Sequence, residues 1–168
     1  METPFINRVA ESGILTIDLK EYYVPGKRIL YDLKDNLYEG LILREKDFRA
    51  FLKSNDWTKY TSQYVAITCT ADAIIPQWTY MLLSTALQPY AARVVVGDLQ
   101  TLETVLILDS LQKINVETFR DKRVVIKGCG DVEIPPSAFG AITSLLMPVA
   151  QSIMYGEPCS TVPVYKRK

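Results

Sequence analysis

Val65-Ala66-Ile67-Thr68-Cys69-Thr70-Ala71-Asp72-Ala73-Ile74-Ile75-Pro76 holds a short apolar run, a polar break and a proline. The same plan returns at Val124-Val125-Ile126-Lys127-Gly128-Cys129-Gly130-Asp131-Val132-Glu133-Ile134-Pro135-Pro136. A run of three or four apolar, mostly β-branched residues bounded by turn signals reads as a buried strand. In both segments a cysteine follows the strand, an aspartate comes two or three residues later, and Ile-Pro follows the aspartate. Proline is well placed in the first turn of a helix, where its missing N–H is harmless. Each segment therefore reads as strand, polar break, helix.

Working outward, the rhythm persists. Gln77–Leu87 reads as a helix, Ala92–Val96 as a strand closed by Gly97-Asp98, Leu99–Lys113 as a helix and Arg123–Lys127 as a third strand. A final helix is expected over Ser137–Tyr155, with Ala138, Ile142, Leu145, Val149 and Ile153 on one face and a kink at Pro148. Strands joined by helices are most economically a parallel sheet with right-handed crossovers. The expected fold is thus α/β, with a central sheet whose parallel βαβαβ part is flanked by helices. The first sixty residues add short strands at Ile14–Leu19 and Arg28–Leu33 around the turn Pro25-Gly26. Leu37–Leu43 reads as a third strand or a helix start, and Lys46–Lys53 as a helix burying Phe48, Phe51 and Leu52. No linker breaks the chain, so residues 1–168 read as one domain: an N-terminal layer (1–60), the βαβαβα portion (64–155) and an extended tail (156–168).

The composition, 48% apolar and 23% charged over 168 residues, is that of a globular protein. Lys+Arg and Asp+Glu balance at 19 each, which argues against a nucleic-acid or anionic-membrane partner. No apolar run approaches the roughly 18 residues that span a bilayer, and Met1–Arg8 does not read as an export signal. Three scattered cysteines do not form a disulfide framework, so a reducing, cytoplasmic setting is expected. The chain has no histidine, which excludes a Ser-His-Asp triad. Gly128-Cys129-Gly130 lacks the further glycines and the lysine of a nucleotide loop.

In open α/β sheets, sites form beyond the carboxyl ends of the strands, which is where Cys69 and Cys129 fall. Helix N-termini nearby favour thiolates. If the two strands are neighbours, at about 4.8 Å spacing, both cysteines share one crevice. Cys159 lies in Gly156-Glu157-Pro158-Cys159-Ser160-Thr161-Val162-Pro163-Val164, expected to be a proline-stiffened loop after a helix capped by Gly156. A helix of about 17 residues is some 25 Å long. Cys159 should then end at the opposite edge of the sheet, unless the tail returns or the thiol serves a partner subunit.

Three converging thiolates would suit zinc, iron or an iron–sulfur cluster, with Asp72 or Asp131 as a fourth ligand or orienting group. The plain alternatives are an inert core thiol at Cys69 and turn or helix capping by Asp72 and Asp131. A second active reading is a thiol-dependent enzyme with Cys129 as nucleophile and Lys127 or an aspartate as base. No catalytic residue is assigned, and whether the chain is an enzyme stays open. A third reading is a non-catalytic protein–protein adaptor. Independently of these readings, Tyr22, Tyr23, Tyr31 and Tyr38 are candidates for a homodimer or partner surface, because strands near the N-terminus need an edge covered or paired; the plain alternative is half-buried sheet residues.

Four runs carry a family resemblance: Gly40–Arg49, Cys69–Trp78, Lys127–Asp131 and Gly156–Pro163. Together they resemble the bacterial, Bacteroidetes-type family catalogued as domain of unknown function 2480, over nearly the whole chain. Members of that family often lie beside genes for sulfur mobilisation and iron–sulfur cluster assembly. The resemblance therefore implies a cytoplasmic accessory role in that pathway, and strengthens Cys69, Cys129 and Cys159 as candidates. It lends no catalytic residue.

Overall fold

The computed structural model describes residues 13–128, 130–157 and 159–168. Residues 1–12, Cys129 and Pro158 lie outside them, and with Cys129 the site reading made of it. In chain order the strands are β1 (Ile14–Asp18), β2 (Arg28–Asp32), β3 (Tyr64–Thr68), β4 (Arg93–Val96), β5 (Arg123–Lys127), β6 (Ser152–Glu157) and β7 (Ser160–Lys166). The helices are α1 (Glu45–Ser54), α2 (Gln77–Leu87), α3 (Leu99–Leu111) and α4 (Pro136–Leu146). The protein is mixed α/β, as its sequence predicts, and its crossovers are parallel.

Two compact units divide the chain. The contiguous unit is Pro25–Val105, and the discontinuous unit joins Met1–Val24 to Leu106–Lys168. In the contiguous unit the sheet order is β2-β3-β4, all parallel. Val65, Ala66 and Ile67 of its central strand are completely buried, because a parallel strand covered on both faces has no solvent side to alternate towards. Leu33, Phe48, Leu83 and Leu87 pack around that strand. Tyr31, Trp57 and Tyr60 form an aromatic cluster with ring centroids 5.9 to 6.4 Å apart. Tyr31 is thus an interior residue and not part of a displayed tyrosine surface. Burial pushes its phenol pKa up.

In the discontinuous unit the order is β1-β5-β6-β7, parallel except for the β6–β7 hairpin. Leu19, Val124, Ile142, Leu146 and Ile153 make its core, with Ile107 and Leu111 of α3.

The two units repeat each other. Asp32 pairs with Thr68 and Tyr64 with Arg93 in one sheet; Asp18 pairs with Lys127 and Arg123 with Ser152 in the other. From β3 to the end of β4, each residue has its counterpart 59 positions on. Val65, Asp72, Pro76, Leu87, Pro89 and Gly97 recur as Val124, Asp131, Pro135, Leu146, Pro148 and Gly156. The echo that opens the sequence is thus the visible part of a longer structural repeat.

Three expectations are corrected. The strands do not share one central sheet: β3 and β4 belong to one sheet and β5 to another, since each repeat closes its own core. Leu37–Leu43 is neither a strand nor a helix start, and contains only an isolated Tyr38–Ile42 bridge. The last helix stops at Leu146, because a proline at 148 removes a donor and collides with the preceding turn. The residues expected to finish that helix form β6 instead, and the tail is β7 of a hairpin, not an extended loop.

Candidate functional site

Each unit ends its strands in a polar cluster. In both, an aspartate at the end of the outer strand caps a short 3₁₀ turn: Asp18 accepts from the Lys20 N–H at 3.1 Å, and Asp32 from the Lys34 N–H at 3.0 Å. The repeated triplets Asp18-Leu19-Lys20 and Asp32-Leu33-Lys34 do two jobs. The leucine enters the core and the aspartate faces the carboxyl edge of the sheet.

In the contiguous unit, Asp32 also accepts from the Thr70 N–H at 3.0 Å and from the Thr70 hydroxyl at 2.5 Å. Burial alone would raise the Asp32 pKa, but hydrogen bonds from Thr70 and Lys34 together outweigh it and hold it at about 2. The carboxylate thereby ties the strand β2 to the loop after β3. That loop carries Cys69, which is half-buried, with its Sγ 3.7 Å from the Ala71 carbonyl.

In the discontinuous unit the edge is more highly charged. Lys127 Nζ lies 3.5 Å from Asp18 and 3.8 Å from Glu157, while Lys20 Nζ lies 3.1 Å from Asp131. A Cβ on Gly130 would come within 3.2 Å of the Lys20 chain, so that glycine leaves room for the lysine to cross. The Asp131 carboxyl sits below the usual carboxylate range, held there first by a hydrogen bond within its own residue and then by Lys20. Neither Asp72 nor Asp131 caps the helix that follows it: the N-cap positions of α2 and α4 are Pro76 and Pro135, with no side-chain cap.

The parallel course of β6 changes the reading of Cys159. Because Ile126 pairs with Tyr155, β6 runs back to the edge where β5 ends. Glu157 and Ser160 then pair to close the hairpin, leaving Cys159 exposed at its turn. Cys159 is therefore at the same sheet edge as Gly128 and Gly130, not at the opposite one. Strand pairing does not make Cys69 a neighbour of that edge, since β3 and β5 lie in different sheets. Among the described residues, no group of three or more Cys, Asp or Glu is arranged to hold a metal ion. Sequence reasoning missed Asp18, Lys20, Asp32 and Thr70; the signal available was the repeated Asp-Leu-Lys at the ends of two predicted strands.

The fold and its paired edges define an internally repeated α/β protein with parallel crossovers and polar clusters at the carboxyl ends of its strands. By sequence, the chain belongs to the family described as protein of unknown function (DUF2480), whose model matches residues 3–167. No curated protein and no solved structure matches it. Among the described residues, no helix is long and apolar enough to cross a membrane.

Proposed function

We propose that this protein is a cytoplasmic accessory factor that holds a soft metal ion or an iron–sulfur cluster through cysteine thiolates. Cys129 and Cys159 are the first two ligands, and Asp131 completes or orients the set. Zinc and iron are the metals this chemistry suits, and the cargo passes to a protein partner or between two copies of the chain. The observation that carries the reading is the return of β6, which brings the Cys159 turn to the edge of the sheet bounded by Gly128 and Gly130.

Elemental analysis of anaerobically purified protein tests this. About one equivalent of zinc or iron per chain is expected, falling to background in the Cys129→Ser and Cys159→Ser variants. A trace content indifferent to both substitutions rules the reading out. One abnormally acidic thiol in that metal-free protein, found from alkylation rate against pH, would point to a thiol enzyme instead.

A further inference from the structure

The discontinuous unit has a second concave feature, which is apolar. Between α4 and the β6–β7 hairpin runs a groove of about 490 Å³ whose walls include Phe139, Gly140, Thr143, Met154, Tyr155 and Val164. We infer that this groove is a binding site for a small, uncharged molecule with an aromatic body.

Three observations carry the inference. The first is Gly140, in the interior of α4. Glycine is among the poorest residues for a helix interior, and its missing side chain allows close approach by another atom. Here a Cβ would meet no atom of the described residues within 4 Å, so none of them accounts for it. The space it leaves is the groove.

The second is the internal repeat, which supplies a comparison within the same chain. The counterpart of Gly140 is Met81, which is 70% exposed, and the counterpart of Tyr155 is Val96. The sheet of the contiguous unit ends at β4 and, among the described residues, has no strand corresponding to β7. In the discontinuous unit a glycine stands where the other repeat has a methionine, and an additional strand lies beside it. That strand is bulged: Ile153 faces Tyr165 but Met154 faces Pro163, which leaves Val164 as the extra residue. Bulges re-aim side chains beside functional sites, and Val164 lines the groove.

The third is the lining itself. Phe139 and Tyr155 meet edge to face, with centroids 5.8 Å apart and planes at 73°, and they offer aromatic surface to a flat partner. The Thr143 hydroxyl is already committed to the Phe139 carbonyl at 2.7 Å, so the groove has little polar character. Its size is that of a small-ligand pocket. A protein partner would need roughly 20 to 30 residues a side, far more than this groove presents.

The neutral fluorescent probe N-phenyl-1-naphthylamine, titrated into the full chain, tests the inference. Saturable binding at one site per chain is expected. Gly140→Met should weaken it at least about tenfold, whereas Met81→Gly in the other repeat should leave it unchanged. Methionine is the better helix former, so Gly140→Met should melt no earlier than wild type; Val164→Lys provides a second block should that variant misfold. Non-saturable binding, or wild-type affinity retained in both blocked variants, overturns the inference. So does a mass that doubles with concentration while probe binding falls, because the groove would then be covered by a second copy. The test is separable from the metal reading: Cys159→Ser should keep the probe site, and Gly140→Met should keep the metal.

Discussion

Asp32 does at one position what several side chains share in the other repeat. Its side chain is 14% exposed and takes hydrogen bonds from Lys34 and Thr70, which stabilise the ionised form and hold its pKa at about 2. A carboxyl whose folded pKa lies below its unfolded value adds stability above the unfolded pKa, and that stability disappears as pH falls through the folded value. Asp32→Asn should therefore cost about 1 to 2 kcal/mol at neutral pH, after allowance for solvent screening. The difference from wild type should shrink between about pH 4 and pH 2. Urea midpoints measured across that range check it; a difference that does not change with pH would mean that the carboxylate charge plays no part. This role was hidden in the sequence, because an aspartate before a turn has many uses and its partner Thr70 lies in another element. Cys69 was legible for the opposite reason: its place depends only on where a short apolar run ends.

Elements were legible where local pattern and tertiary demand agreed. The strands β1, β2, β3 and β5 and the helices α1 and α2 fall where alternation, β-branching and proline put them. The end of α4 was misread because Ala138, Ile142, Leu145, Val149 and Ile153 keep a helical spacing across Pro148, although Val149 and Ile153 reach the core from a turn and a strand. The corrective signal was in the chain. Helix α2 ends before Pro89 and β4 starts at Arg93, and Pro148 and Ser152 stand 59 positions later. Misreading that element sent Cys159 to the wrong edge of the sheet. The hairpin that replaces it depends on Gly156, whose φ of 120° and whose missing Cβ, 2.5 Å from the Ser160 carbonyl oxygen, leave no space for a side chain. Gly156→Ala should cost about 2 kcal/mol, whereas Gly140→Ala, in open helix, should stabilise by about 0.5 to 1 kcal/mol. Chemical denaturation of the pair reads both signs, and equal effects would show that the hairpin tolerates a side chain there.

At the scale of the molecule, the repeat explains why one sheet was expected and two are found. Strand-helix-strand units follow one another in sequence whether they extend a single sheet or close separate ones, so spacing alone cannot distinguish the two. The pairing does: β1 joins β5 across the whole of the contiguous unit, and each core is completed by its own outer strand. Ile17 and Leu19 reach the core of the discontinuous unit from the β1 end of the chain, while the contiguous unit takes Tyr31 and Leu33 from β2 and the turn after it. A chain that starts at Pro25 therefore lacks the outer strand of one sheet and keeps the other sheet entire. Hydrogen exchange read by mass spectrometry on that truncated chain should show protection over Val124–Ile126 and Ile153–Tyr155 lowered at least about tenfold, with Val65–Ile67 unchanged. Regional protection follows the contacts that close each core, and here those contacts come from different lengths of chain. An equal loss of protection in both sheets would show that the repeats unfold as one cooperative block, and that the division seen in their strand pairing has no counterpart in their stability.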